Sequence, residues 1–320
     1  MAPGLDSKPG QPLYRRVPET ERTDVPITYS SFSRLVRLPA ALTAPGDSIA
    51  GATAAGWPMG MRSAVLPVSS VFIYWAGMAL NDFADRDLDS RERPERPIPS
   101  GDITPREALA VAAGLTALGV AVAAAGGGRR ALAVALPLAA SAWSYDLCFK
   151  STPFGPASMA LTRSLDVLLG AGYGSLRTAL PSALVIGTHI MATTILSRDE
   201  VHGSSDAATG SIAVAGTAVA SLAAASALIP SPRTGALANV GWVLGSLLAA
   251  GYATVVGVPQ WTARTTRTAQ DIRRAVGASV IGTIPLQAAL IARSGGILSS
   301  IAIAALWPVA KSMTRKVSAT

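Results

Sequence analysis

The sequence predicts an all-α, polytopic membrane protein, and three observations carry that prediction. Half of the 320 residues are hydrophobic and only 14% are charged, well below the quarter usual in a soluble domain. Apolar runs long enough to cross a bilayer recur along the chain, separated by short turns rich in Gly, Pro and Arg. The runs are built largely from Ala and Gly, the small residues that let helices approach closely in lipid. A net charge of +8 would suggest nucleic acid in a soluble chain. Here the basic residues sit between apolar runs, so membrane topology accounts for them and no nucleic-acid partner is expected. Cys148 is alone, which excludes an intrachain disulfide and a CxxC metal site. His189 and His202 are too far apart for a helical metal pair.

Taken in order, residues 1–31 are rich in Pro, Arg, Glu and Thr and have no apolar block. They read as a disordered cytosolic tail with no cleaved signal, ahead of a transmembrane domain over 32–320. The first membrane segment spans 33–55. Pro39 and Pro45 interrupt or kink it, and Asp47 lies inside it, where an ionisable group faces a polar cavity. Arg34 and Arg37 sit at its inner edge, either as interfacial anchors or as phosphate ligands. The second segment, 64–80, runs into Asn81-Asp82-Phe83-Ala84-Asp85-Arg86-Asp87-Leu88-Asp89. A stiff Pro/Arg loop follows. Thr104 is then the expected N-cap of a new helix, with Pro105 at its first position. Further segments fall at 107–125, 131–149, 155–173, 180–197, 208–229, 235–256, 275–292 and 296–310, ten runs in all. The 275–292 run is the weakest, since Gly277, Gly282 and Pro285 interrupt it.

The acidic stretch carries the chemistry. At about 100° per residue, Asp82, Asp85 and Asp89 fall within an arc of roughly 60° on one helix face. Three carboxylates there repel one another unless a cation lies between them. Oxygen donors with no Cys or His nearby suit Mg²⁺, usually completed by water and substrate phosphate. The plainer alternative is a solvated acidic helix end. Arg91, Arg93 and Arg96 follow directly, and their forks match phosphate oxygens. Acids, metal and arginines together read as a diphosphate clamp.

With ten alternating segments and the acidic loop placed inside, twenty of the 27 Lys and Arg residues fall on its side, six fall opposite and Arg163 lies within a segment. If 275–292 does not cross, Lys311, Arg315 and Lys316 move to the other side, and most of the basic residues still lie with the acidic loop. Either way the acidic loop is cytosolic. Lys150 ends the fourth segment on that same side, either to contact phosphate or to anchor the interface, and Tyr145 and Asp146 lie about a turn deeper. Arg163 and Asp166 are three apart in the fifth segment and can pair. The sixth segment ends in a second acidic cluster on the same side: Asp199, Glu200 and, beyond the Gly203-Ser204-Ser205 break, Asp206. Two such clusters facing each other would hold metals on both sides of one diphosphate.

After residue 31 nearly the whole chain resembles the UbiA superfamily of intramembrane prenyltransferases. Asn81-Asp82-x-x-Asp85-x-x-x-Asp89 is similar to the family's first metal motif, and Arg93-Pro94-x-Arg96-Pro97-Ile98-Pro99-Ser100-Gly101 follows it. Tyr145-x-x-x-x-Lys150 is similar to a weaker family motif. Asp199 lies where the family's second motif, Asp-x-x-x-Asp, is expected, but Gly203 occupies the place of its second acid, for which Glu200 and Asp206 are the candidate substitutes. The wording Ser197-Arg198-Asp199-Glu200-Val201-His202-Gly203 is similar to a bacterial branch called EboC-like. The resemblance implies about nine transmembrane helices around a central cavity open to the cytosol and to lipid, in the inner or plasma membrane. It implies Mg²⁺ held by Asp82, Asp85 and Asp199, with Asp89 and Glu200 as further ligands. Asn81, Arg93, Arg96 and Lys150 would bind an allylic isoprenoid diphosphate, and Tyr145, Asp47, Asp146 and Arg163 would form the polar end of an acceptor pocket. A terpene cyclase would use the same metal motif. A non-enzymatic transporter or scaffold is the reading from a different class, but transporters carry broken-helix sites at the midplane, whereas these acids sit at the membrane edge. The topology predicts that a cysteine introduced at Ser100 is not labelled from outside intact cells; ready labelling from that side overturns the orientation.

Overall fold

A computed structural model describes residues 27–317 apart from 39, 174, 175, 230, 232 and 233. It is all helical among those residues: α1 (Tyr29–Leu35), α2 (Pro45–Ala54), α3 (Leu66–Glu92), α4 (Pro105–Ser144), α5 (Gly155–Ala171), α6 (Leu176–Ser197), α7 (Ala208–Ala225), α8 (Ala236–Thr266), α9 (Ala269–Arg293) and α10 (Ile297–Val317). Most of the expected tail, up to residue 26, lies outside the described residues. Among the described residues, six helices are long and apolar enough to cross a membrane.

Local chemistry places several boundaries where the sequence put them. Thr104 caps α4 through a capping box with Glu107, and Pro105 takes the first turn. α4 unites two expected segments, but it is not straight. Gly128 leaves helical geometry at φ 57°, and Trp143 Nε1 donates to Thr116 Oγ1 at 3.0 Å. A straight helix would separate those two residues by about 40 Å. The chain therefore doubles back at Gly128, and α4 is a hairpin of two antiparallel arms.

Two expectations need correction. The 275–292 run is not weak: α9 extends over the whole of it, and nearly every residue from Gly282 to Arg293 is buried. It packs against α2, α6, α7, α8 and α10. A helix segment buried all round needs no amphipathic stripe, and the glycines do not break it. A Cβ on Gly282 would strike the Val256 side chain of α8. The first segment, by contrast, is not one helix. Arg37 ends α1 at φ 47°, a short 3₁₀ turn covers Ala40–Thr43, and Pro45 starts the ten-residue α2. The break frees the Thr43 carbonyl, which accepts from Arg163 Nη2 at 3.0 Å and Gln287 Nε2 at 2.6 Å. Irregular backbone inside a membrane bundle persists only where such donors satisfy it.

His189 is buried and ties helices together. Its Nδ1 accepts from the Tyr252 hydroxyl at 2.8 Å, and its Nε2 faces the Ser279 carbonyl at 3.1 Å. This assigns the proton to Nε2 and ties α6 to α8 and α9. α2 and α5 approach to backbone contact, where a Cβ on Gly51 would overlap the Val167 carbonyl and one on Gly170 the Ser48 carbonyl. Gly170→Val is expected to lower stability by about 3 kcal/mol or more, whereas Gly114→Ala on α4, with nothing near its Cβ, should be neutral. Equal melting temperatures for the two variants would disprove that contact.

Candidate active site

A cavity of about 520 Å³ opens among α3, α4, α5, α6 and α9. Helical periodicity builds its walls. Ser70, Tyr74, Gly77, Asn81, Asp85 and Asp89 follow one face of α3, spaced three or four residues apart. Met159, Thr162, Arg163 and Asp166 do the same on α5, and Ile190, Thr193, Thr194 and Ser197 on α6. The mid-section is apolar, with Gly77, Met78, Leu138, Ala142 and Met159. A smaller groove of about 380 Å³ between α6 and α7 is lined mainly by Leu, Val and Ala, and among the described residues its only charged one is Arg177.

Charge is concentrated at the mouth. Asp85 pairs with Lys150. Arg96 Nη1 donates to Asp82 Oδ1 at 2.7 Å and Asp89 Oδ2 at 3.2 Å. Arg37 Nη2 donates to Asn81 Oδ1 at 2.9 Å and Asp82 Oδ1 at 2.8 Å, and Asn81 Nδ2 donates to Asp146 Oδ1 at 2.8 Å. Asp82 is 2% exposed and does not line the cavity, whereas Asn81, Asp85 and Asp89 do. Asp82 is one position on from Asn81 and thus about 100° around the helix, where it holds two arginines. Burial, and next the Arg37 guanidinium, draw the Arg96 pKa below its ordinary range, while Asp82 and Asp89 oppose the shift. Arg96 stays cationic, since a guanidinium is effectively always protonated.

Lys150 reaches the mouth through a local change of helix type. Five residues advance about 140° in an α-helix, so Tyr145 and Lys150 would not share a face. Tyr145–Phe149 is a π turn, with Lys150 N donating to Tyr145 O at 2.8 Å. The wider turn stacks the two residues on the cavity side, and Tyr145, Asp146 and Lys150 all line it.

The second acidic cluster is sorted by the loop after α6. Glu200 lines the cavity and accepts from Arg93 Nη2 at 3.1 Å. Asp199 accepts from Thr209 Oγ1 of α7 at 2.7 Å. Asp206 Oδ1 accepts from Ala208 N at 2.7 Å, at the start of α7. Gly203 has φ 78°, a conformation that an acidic side chain rarely adopts, and a Cβ there would press on the Arg267 carbonyl. Deeper in the cavity, Arg163 pairs with Asp47 at 2.9 Å. The expected Arg163–Asp166 pair is not formed; Asp166 instead accepts from Ser70 Oγ at 2.6 Å.

Residues 40–276 match the model of the UbiA prenyltransferase family. The chain belongs to the UbiA prenyltransferase family. It is 32% identical over 127 residues to the digeranylgeranylglyceryl phosphate synthase of Methanopyrus kandleri, covering 39% of this chain and 46% of that one. With the enzyme of the same name from Methanoregula boonei it shares 33% identity over 184 residues, 54% and 65% of the two chains. It thus spans less than two thirds of the length of these curated relatives. The fold is similar to that of a UbiA homolog from Aeropyrum pernix K1, with a TM-score of 0.62 at 20% identity over 78% of this chain and 96% of that one. A UbiA homolog from Archaeoglobus fulgidus bound to DMAPP and Mg²⁺ gives a TM-score of 0.55 at 15% identity over 80% and 98%. The family and the six long apolar helices make this an integral membrane protein.

Mg²⁺ chemistry suits this UbiA member's donor set. Among the described residues no three His, Cys, Asp or Glu side chains form a cage by themselves. Mg²⁺ needs no such cage, since one or two carboxylates, water and substrate phosphate complete its shell. Asp85, Asp89 and Glu200 present oxygen donors at one mouth. The role of Arg37, the burial of Asp82 and the polar deep end at Ser70, Asp166 and Thr283 were not apparent from the motif. The polar stripe Thr162, Arg163, Asp166 in an apolar run was the available signal for the last. Asp82→Asn leaves Arg37 and Arg96 without their shared charge, and a stability loss of about 2 kcal/mol is expected. An unchanged melting temperature would show that Asp82 anchors neither.

Proposed function

We propose that this UbiA-family protein is a Mg²⁺-dependent prenyltransferase that moves an isoprenyl group from an allylic isoprenoid diphosphate to a lipophilic or aromatic acceptor. The supporting observation is the meeting of carboxylates and cations at the mouth of an apolar-walled cavity: Asp85, Asp89 and Glu200 with Arg37, Arg93 and Lys150. A diphosphate entering there exchanges the carboxylate partners of Lys150 and Arg93 for phosphate oxygens, which the Arg fork matches in shape. Asp85 and Glu200, freed by that exchange, would hold the ion, with Asp89 and Asn81 beside them. Bound Mg²⁺ supplies Lewis-acid charge to the leaving diphosphate. Arg96, held by Asp82 and Asp89, keeps a fixed positive charge next to that leaving group. The prenyl chain runs down the apolar mid-section, where Met78, Leu138 and Met159 exclude water from the electron-poor carbon until the acceptor bonds to it.

In this reading Asp82 positions Arg37 and Arg96, Glu200 is the cavity-facing acid of the second cluster, and Asp199 braces the loop through Thr209. The chain crosses the membrane nine or ten times, with the hairpin α4 counted twice and the mouth in the cytosol; the distribution of Lys and Arg supports this orientation. Relatives are named for a glyceryl phosphate lipid and for 4-hydroxybenzoate, so acceptors of both kinds belong in the assay. The EboC-like wording of 197–203 is part of the same proposal.

The test uses purified protein, Mg²⁺ and isoprenoid diphosphates of several lengths, and follows diphosphate release with and without acceptors. Release is expected to require Mg²⁺ and acceptor, and to stop in EDTA. Release with cyclised product and no acceptor would make the protein a cyclase, and full turnover in EDTA would end the metal assignment. Asp85→Asn and Glu200→Gln are expected to reduce turnover at least a hundredfold, Asp199→Asn less than Glu200→Gln, and Asp206→Asn little. The reverse ranking of Glu200 and Asp199 in folded protein would identify Asp199 as the ligand.

A further inference from the structure

The deep end of the cavity is also polar, although it lies far from the mouth. Ser70 and Asn81 share a face of α3 and are separated by about 16 Å along its axis at 1.5 Å per residue. At the deep end, Ser70 Oγ donates to Asp166 Oδ2 at 2.6 Å. Asp166 is 5% exposed, and its other oxygen, Oδ1, has no hydrogen-bond donor among the described residues. The neighbouring donors are engaged elsewhere. Arg163 serves Asp47 and the Thr43 carbonyl. Thr162 is bonded to Ser141 and to the Ser158 carbonyl, and Thr283 lies against Ser279 and His189.

We propose that Asp166, braced by Ser70, is a subsite for a hydroxyl group at the far end of the lipid chain that fills this cavity. The proposal rests on reading the mouth as the diphosphate end. A chain that is hydrocarbon to its tip would strip water from Oδ1 and return nothing, whereas a terminal hydroxyl donates the missing hydrogen bond. The distance to the mouth excludes Asp166 as the base for the attacking nucleophile, because a base must lie within hydrogen-bond reach of the proton it takes. Asp166 is therefore a specificity residue that reads the end of a chain about 16 Å long. That chain belongs either to the prenyl diphosphate or to a lipid acceptor.

Affinities are measured on the full-length protein in detergent for two ligand pairs: geranylgeranyl diphosphate against its terminally hydroxylated counterpart, and a long-chain mono-alcohol against the matching α,ω-diol. The hydroxyl is expected to tighten binding about tenfold in one pair. The gain should disappear in Asp166→Leu and shrink in Asp166→Asn, which preserves the shape and the Ser70 contact. A gain in the diphosphate pair assigns the hydroxyl to the prenyl donor, and a gain in the diol pair assigns it to the acceptor. No gain in either pair, or the same gain in wild type and both variants, overturns the subsite. Asp85→Asn separates this result from the reading of the mouth. If diphosphate affinity is unchanged in that variant the mouth assignment fails, while an Asp166-dependent preference for the diol still stands.

Discussion

Everything at the mouth depends on one constraint: a carboxylate withdrawn from water needs a cation or donors of its own. Asp82 and Asp89 are the buried acids of the motif, and Asp82 Oδ1 accepts from both Arg37 and Arg96. That shared contact draws the end of α1, the Arg loop and α3 together around a single oxygen. Arg96 then reaches Asp89, and Arg37 reaches Asn81, which in turn holds Asp146 of the π turn. The network is continuous from the N-terminal segment to the end of α4. It orients the cavity-facing residues in the unliganded protein, the arrangement the proposed electrostatic catalysis requires.

The same constraint explains the broken first segment. A continuous helix over 33–55 would keep its carbonyls for itself. The 3₁₀ turn and Pro45 leave the Thr43 carbonyl free to hold Arg163 and Gln287, and these in turn neutralise or bond Asp47. α2, α5 and α9 are thereby joined through a polar knot that hydrophobic packing among Ala-rich helices would not specify. The small residues serve a different purpose. Gly51 and Gly170 let α2 and α5 approach to backbone contact, which brings Arg163 within reach of Asp47.

Much of this was legible along the chain because it depends on local periodicity. The mean apolarity, the spacing of runs and the Thr104 capping box declare membrane helices without knowledge of their neighbours. The spacing of Asp82, Asp85 and Asp89 on one face, and the arginines after them, are the features from which metal and phosphate are proposed. The difference between Asn81 and Asp82, neighbours in sequence, was not legible. A turn of about 100° decides whether a side chain meets the cavity or the arginines, and only the positions of α1 and the loop settle which side is which.

By itself, then, the sequence determined the class of protein, the order of its helices and the location of its acid-rich end, since each follows from composition and period within a single run. Tertiary structure decided the rest. α9 became the most enclosed helix despite its glycines and proline, because breaks in hydropathy do not report contacts with five neighbours. Glu200 rather than Asp199 faces the cavity because Gly203 turns the loop onto the end of α8 and Thr209 takes Asp199. Asp166 turned from its expected partner to Ser70 because the guanidinium of Arg163 is drawn to Asp47, a group more than a hundred residues away in the chain. Such choices depend on which charges meet across helices, and no window of sequence contains both partners.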